Sequence, residues 1–202
     1  MNISESAIQT KLFGLNKFIN ELIDLDKKDL LPSKILLSGQ KGLGKATLAY
    51  HFINYVLSKN EQFSYNVSNL EINPKNQSFK TIINKSNPNL IPIEVKSDKK
   101  LIDINQIRDL ISKLNKSSFN DKPRFVLIDN IELLNANSIN ALLKIVEEPN
   151  LNVFFILINN NKKILKTLLS RCLNFKISLT NKDSLYVANK LLNTKLDLLI
   201  NK

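Results

Sequence analysis

The sequence predicts an α/β domain in which a parallel sheet is covered by helices on both faces. Three observations carry the prediction. Short apolar runs alternate with longer segments whose apolar residues recur at helical spacing. The runs "KILLSG", "RFVLIDN" and "NVFFILINN" are apolar at nearly every position, the pattern of strands buried on both sides. Three of the four glycines, Gly39, Gly42 and Gly44, crowd into the turn after the first of these runs.

Taken in order, residues 5–24 place Ile8, Leu12, Leu15, Ile19, Leu22 and Ile23 at helical spacing, with Gly14 as a break. Pro32 precedes the strand "KILLSG". The helix "KATLAYHFINYVLSK" follows, with Leu48, Phe52, Tyr55 and Val56 on one stripe. Residues 59–89 are polar and Asn-rich, and no element is assigned there. "NLIPIEV" is a second strand, and Pro92 makes it an edge or an interrupted one. Asp103, with Gln106 three residues on, is a capping-box start for "DINQIRDLISKL", whose Ile104, Ile107, Leu110, Ile111 and Leu114 face inward. After the central strand "RFVLIDN" comes the helix "NANSINALLKIVEEP", with Ile139, Leu142, Leu143 and Val146 inward and Pro149 as its stop. "KKILKTLLSRC" is a short helix, "NFKISL" the last strand, and 181–200 a final amphipathic helix.

Composition narrows the function classes. The single Cys172 excludes an internal disulfide and the multi-cysteine zinc sites of small metal domains. A lone cysteine, with no basic start leading into an apolar run at the N-terminus, fits a cytoplasmic protein. The longest apolar run, "VFFILI", is too short to span a bilayer, so no membrane partner is expected. Net charge is +11. Such a charge fits a nucleic-acid partner. It fits equally a general Lys/Asn/Ile bias, because only Arg108, Arg124 and Arg171 of 29 basic residues are arginine and the lysines are scattered.

"GQKGLGK", residues 39–45, has the form G-x-x-x-x-G-K between a strand and a helix. Glycines let the backbone approach an anion, which then meets N–H groups and the helix N-terminus. The loop would comprise Gly39, Gln40, Lys41, Gly42, Leu43, Gly44, Lys45, Ala46 and Thr47, with Lys45 reaching the β- and γ-phosphates. Ala46 lacks the hydroxyl that normally ligates Mg²⁺, and Thr47 stands about 100° further round the helix. Asp129, ending an apolar strand, is the candidate metal-organising carboxylate. Asn130 follows it, and a neutral amide cannot serve as a base. Asn159, at the end of the "VFFILI" strand, is either a sensor of the γ-phosphate or part of a plain turn. Arg171 of "SRC" is either a solvated charge or an arginine supplied to a neighbour's γ-phosphate.

The order and spacing of "ILLSGQKGLGKATLAY", "NPNLIPIEV", "IDINQIRDLISKL", "RFVLIDNIELLNANSINALLKIVEEP" and "ILKTLLSRC" resemble bacterial clamp-loader subunits of the DNA polymerase III holoenzyme, nearest the delta-prime family. "NALLKIVEEP" and "SRC" are the most specific strings, and the resemblance covers about residues 8–178. It implies an AAA+ module: an α/β core over 1–178, with 59–89 as a polar insert, then the start of a small helical lid over 179–202. It implies that residues 39–47 form the nucleotide loop for ATP/Mg, that Asp129 is the Walker B acid, and that Arg171 is a finger reaching the ATP site of an adjacent gamma/tau subunit. The implied partners are gamma/tau and delta in a hetero-oligomer, with the sliding clamp and primed DNA met through it. Members of the family usually continue into a C-terminal helical collar, which this sequence does not include. A gamma/tau chain would be expected to carry a cysteine-rich zinc module, Ser or Thr at position 46 and Glu at position 130. Ala46 and Asn130 therefore separate a non-catalytic subunit from two other readings, an active AAA+ ATPase of gamma/tau or remodelling type and a phosphate-loop module outside replication.

Overall fold

A computed structural model describes residues 5–96, 98–148 and 151–200. Eight helices and five strands alternate along them: α1 Glu5–Ile8, α2 Asn16–Lys27, β1 Lys34–Ser38, α3 Lys45–Leu57, α4 Gln77–Ile83, β2 Leu90–Ile93, α5 Ile104–Leu114, β3 Arg124–Ile128, α6 Ala136–Glu147, β4 Val153–Asn159, α7 Lys166–Leu169, β5 Leu173–Lys176 and α8 Asn181–Ile200. A 3-10 turn, Ile131–Leu133, joins β3 to α6. The stop assigned to Pro149 lies outside the described residues.

All strand pairings in the sheet are parallel, in the order β2-β3-β4-β1-β5. β2 is an edge strand, the position that tolerates Pro92. Successive side chains of a strand point to opposite faces. Ile35 and Leu37, Phe125 and Leu127, and Ile156 and Ile158 therefore face one apolar cluster shared with α2, α3 and α4. Leu36, Val126, Ile128, Phe155 and Leu157 face a second, shared with α5, α6 and α7. Burial on both sides explains why these strands read as unbroken apolar runs.

Helix α3 departs from the single stripe expected of it. Lys45 and every residue from Leu48 to Leu57 are buried, because α1, α2, α4 and the segment after α3 wrap it. Its polar residues are satisfied by hydrogen bonds. Asn54 Nδ2 donates to Asn76 Oδ1 at 3.1 Å, and Asn76 Nδ2 donates to Asn54 Oδ1 at 3.3 Å and to Phe63 O at 2.9 Å. Asn76 also caps α4 by accepting from Phe79 N at 2.7 Å. The stretch 59–89 is thus tied in as packed structure, with Tyr65, Leu70, Ile72, Phe79 and Ile82 buried. The periodicity of 59–89 hid α4, which has only seven residues. The capping box at Asp103 forms as read, with Asp103 Oδ1 accepting from Asn105 N at 2.9 Å and Gln106 N at 3.1 Å.

The single histidine, His51, is fully buried in α3. Its Nε2 lies 3.1 Å from Gln9 O, and a carbonyl oxygen can only accept. Nε2 therefore carries the proton, and Nδ1 accepts from the Tyr65 hydroxyl at 3.0 Å. Burial pushes the imidazole pKa down from 6.5 to about 4, opposed by the Gln9 bond. Above pH 6.5 the ring is neutral in both folded and unfolded chains, and its contribution to stability is complete. Between pH 6.5 and about 4 the unfolded chain takes up a proton that the folded chain refuses, so stability falls as pH falls. The loss attributable to His51 reaches about 3 kcal/mol by pH 4. In urea titrations from pH 7.5 to 4, His51→Gln is expected to show a flatter fall than the unaltered chain; parallel profiles would contradict this.

Gly39 makes the closest backbone approach at the end of β1. Its φ is +155°, and a Cβ placed there would lie 2.3 Å from Ile177 O. Around Gly42, whose φ is +90°, a Cβ would meet nothing within 4 Å. Gly39→Ala is therefore expected to destabilise the fold by about 2–4 kcal/mol through backbone displacement, against about 1–2 kcal/mol of torsional strain for Gly42→Ala. Equal losses in denaturant unfolding would contradict this order.

Candidate functional site

The loop between β1 and α3 sits at the carboxyl edge of the sheet, where open α/β folds bind ligands. Gly39 N donates to Asn159 O at 3.2 Å, and Ile177 N donates to Ser38 O at 2.7 Å. These bonds seat the loop on β4 and on the end of β5. Gly44, with φ +77°, caps the start of α3 in a left-handed conformation. Lys45 opens that helix and is only 4% exposed. Its Nζ donates to Gly39 O at 3.0 Å and to Gln40 O at 2.6 Å. The ammonium is thus folded into the concave side of the loop. Lys41 and Gly42 are exposed at the rim, while Gly44, Ala46 and Thr47 are half-buried. The Ala46 methyl and Leu43 pack against the apolar cluster beneath α3.

Asp129 follows β3 at the same edge, its N–H donating to Ile93 O at 3.1 Å. Burial raises its carboxyl above the usual range; the Asn130 N–H opposes this, Glu132 adds to it, and Lys45 and Lys41 oppose it. Burial lowers the Lys45 ammonium, against the attraction of Asp129 and Glu132. Loop lysine and strand carboxylate therefore feel each other's charge in partly dry surroundings, the arrangement that would face a phosphate and its counterion.

Asn130 has a structural reason to be where it is. Its φ of +60° and ψ of +57° are left-handed, a region in which Asn is one of the few comfortable side chains. Its Oδ1 accepts from Asn160 Nδ2, and Asn160 N donates to Glu132 Oε2 at 3.3 Å. Asn159 lies nearby but its amide is engaged, with Nδ2 donating to Lys162 O at 2.9 Å and Oδ1 accepting from Lys162 N at 3.2 Å. Sensing a phosphate would require it to exchange those turn bonds.

Sequence reading missed two neighbours. Glu94 follows β2 as Asp129 follows β3, and the Ile93–Ile128 register sets them side by side. Tyr50 is buried on α3, and its hydroxyl is pushed up by burial and by the charges of Glu94 and Asp129. Only the register between strands could have paired Glu94 with Asp129.

Arg171 lies elsewhere. It precedes β5, and Leu173 of β5 pairs with Ile35 of β1, so Arg171 stands at the amino edge of the sheet. The length of β1 separates this edge from the loop, about 15 Å at 3.3 Å per residue. Its Nη1 donates to Thr167 O at 2.6 Å, and its Nη2 lies 2.8 Å from Glu147 Oε1. The other two arginines differ. Arg124 closes the end of α5, donating to Leu114 O at 3.0 Å and Lys116 O at 3.1 Å. Arg108 is on the exposed face of α5.

Known proteins resemble this chain in family and in fold. A family profile described as "DNA polymerase III, delta subunit" matches residues 14–181. The DNA polymerase III subunit delta' of Buchnera aphidicola subsp. Schizaphis graminum is 29% identical over 171 residues, which are 82% of this chain and 48% of that protein. The subunit gamma of Buchnera aphidicola subsp. Acyrthosiphon pisum is 32% identical over 155 residues, 75% of this chain and 40% of that protein. The chain thus spans half or less of the length of these curated relatives. Among solved structures, a DNA polymerase III gamma subunit-related protein of Thermotoga maritima superposes with a TM-score of 0.53 at 18% identity, covering 83% of this chain and 46% of that one. The likeness is one of fold, a parallel α/β sheet covered by helices on both faces. With the profile spanning residues 14–181, the chain belongs to the DNA polymerase III delta/delta-prime family of clamp-loader subunits.

Proposed function

We propose that this chain acts in DNA replication as a clamp-loader subunit of the delta-prime type. It helps load the sliding clamp on primed DNA, hydrolyses ATP weakly or not at all, and lends Arg171 to the ATP site of an adjoining gamma/tau subunit. One observation carries the reading: Arg171 and the glycine loop stand at opposite edges of one sheet. An arginine about 15 Å from its own loop can serve phosphate chemistry only in a neighbouring molecule.

The loop itself fits a nucleotide. A glycine turn, a helix N-terminus and the inward Lys45 are the groups that hold phosphates. The fit to Mg²⁺ is thinner. Ala46 offers no hydroxyl, and among the described residues no three His, Cys, Asp or Glu side chains gather for a metal ion. A Mg²⁺ here would rest on Asp129, the nucleotide's own oxygens and water. When bound, it would neutralise phosphate charge, while Lys45 held the phosphates in place. Asn130 cannot take a proton from an attacking water, and its left-handed backbone supports a structural role for it. Binding without efficient turnover follows. Residues 1–178 would form the AAA+ core and 179–202 the start of its lid. The partners would be gamma/tau and delta, in the cytoplasm. No helix among the described residues is long and apolar enough to cross a membrane.

A second reading, an active ATPase of gamma type, has some support from Glu132, whose charge reaches both Asp129 and Lys45. Turnover decides between them. The isolated chain is expected to bind ATP in a titration with Mg²⁺ yet hydrolyse it no faster than background; clear turnover would favour the second reading. In the assembled complex, Arg171→Ala is expected to lower ATPase at the adjoining site at least about tenfold, a threshold set well below the roughly 10³–10⁵ that fingers contribute elsewhere. Unaltered circular dichroism would exclude misfolding, and unaltered ATPase would refute the finger.

A further inference from the structure

We propose that Glu147 is a positioning residue for Arg171: it holds the guanidinium in a fixed orientation at the amino edge of the sheet, ready for the neighbour's nucleotide. The proposal rests on the finger reading above and deepens it.

The geometry begins with an oddity of placement. Glu147 is the last residue of α6 and Glu148 is its cap. The C-terminal end of a helix carries a partial negative charge, so a carboxylate there is disfavoured. Glu147 is also largely solvent-exposed, so core packing does not account for it. Its ion-pair contact is Arg171, at 2.8 Å between Nη2 and Oε1. The two residues are far apart in sequence, and the sheet brings them together. α6 ends at the amino edge before β4 begins, and α7 delivers Arg171 to the same edge before β5 begins.

The guanidinium is gripped on two sides. Nη1 donates to Thr167 O at 2.6 Å, a carbonyl in the short helix α7, and Nη2 donates to Glu147. A guanidinium has five N–H donors in a planar fork. Two anchors fix its plane and leave further N–H groups for a ligand. The Arg171 side chain keeps 34% exposure, so it is restrained yet reachable. A long side chain restrained in this way loses less rotamer freedom on meeting its target. A lysine held by the same two anchors would keep a single N–H for a ligand and no planar fork to orient it. That agrees with the use of one of only three arginines at this position.

The test uses the complex assembled from this chain and its gamma/tau partner, with steady-state ATPase as readout and thermal melting as a control on each variant. Glu147→Gln keeps shape and removes charge. It is expected to lower kcat about three- to tenfold with KM for ATP within about twofold, because only orientation of the finger is lost. Glu147→Asp keeps the charge and is expected to retain more of the rate than Gln. In an Arg171→Ala background, Glu147→Gln is expected to have no further effect, since the two act as one unit. A full rate in Glu147→Gln beside a low rate in Arg171→Ala would overturn the positioning role and leave the finger standing. Additive losses, or a rate raised by Glu147→Gln, would also overturn it. Full rates in both single variants would overturn the finger and the positioning role together.

Discussion

Everything in this fold depends on β1 lying inside a parallel sheet rather than at its margin. The strand pairs with β4 on one side and β5 on the other, so its two ends are fixed by strands that come much later in the chain. The close approach of Gly39 to the Ile177 carbonyl is the tightest point of that arrangement, and it forbids a side chain at position 39. Because every strand runs the same way, the chain has two unlike edges. The carboxyl edge gathers the glycine loop, Asp129 and Asn159. The amino edge gathers Glu147 and Arg171. The sheet keeps these two groups apart by its own length.

The carboxyl edge balances burial against charge. Lys45 and Asp129 are each shifted toward neutrality by loss of water and pulled back by the other's charge. Such a pair is cheaper to maintain near neutral pH than either charge alone. Asn130 belongs to a different set. Its left-handed backbone and its link to Asn160 tie the loops after β3 and β4 to each other. A glutamate at 130 would meet a backbone conformation that suits it poorly, so the residue at this position and the shape of this turn are linked.

The basic residues divide by what their side chains hold. Arg124 closes α5 through three carbonyl contacts, and Arg171 is bound between Thr167 and Glu147. Both places use the planar fork of the guanidinium. Lysines engage in simpler ways, as Lys122 does by donating to Leu57 O at 2.7 Å while pairing with Glu61 at 3.2 Å. The charge of +11 therefore says less about function than the geometry around two of the three arginines.

Much of this was legible in one dimension. The strands could be read because burial on both faces demands unbroken apolar runs. The loop could be read because glycine is scarce elsewhere, and the start of α5 because a capping box is a local hydrogen-bond pattern. Ala46 and Asn130 could be read as well, because a missing hydroxyl and a neutral amide are visible in single residues. Other features could not be read. The apolar spacing of helix α3 predicts one stripe, yet the helix is enclosed along its length, since what wraps it comes from α1, α2 and the stretch 59–89. Helix α4 is too short for its periodicity to show, and its buried Asn76 looks like any loop asparagine until Asn54 is set against it. Glu147 and Arg171 are twenty-four positions apart, and no local rule joins them. Sequence determined the local groups, because backbone dihedrals, caps and burial periodicity act over a few residues. Only the tertiary structure decided which groups share an edge, because strand order and register set distances between residues remote in the chain.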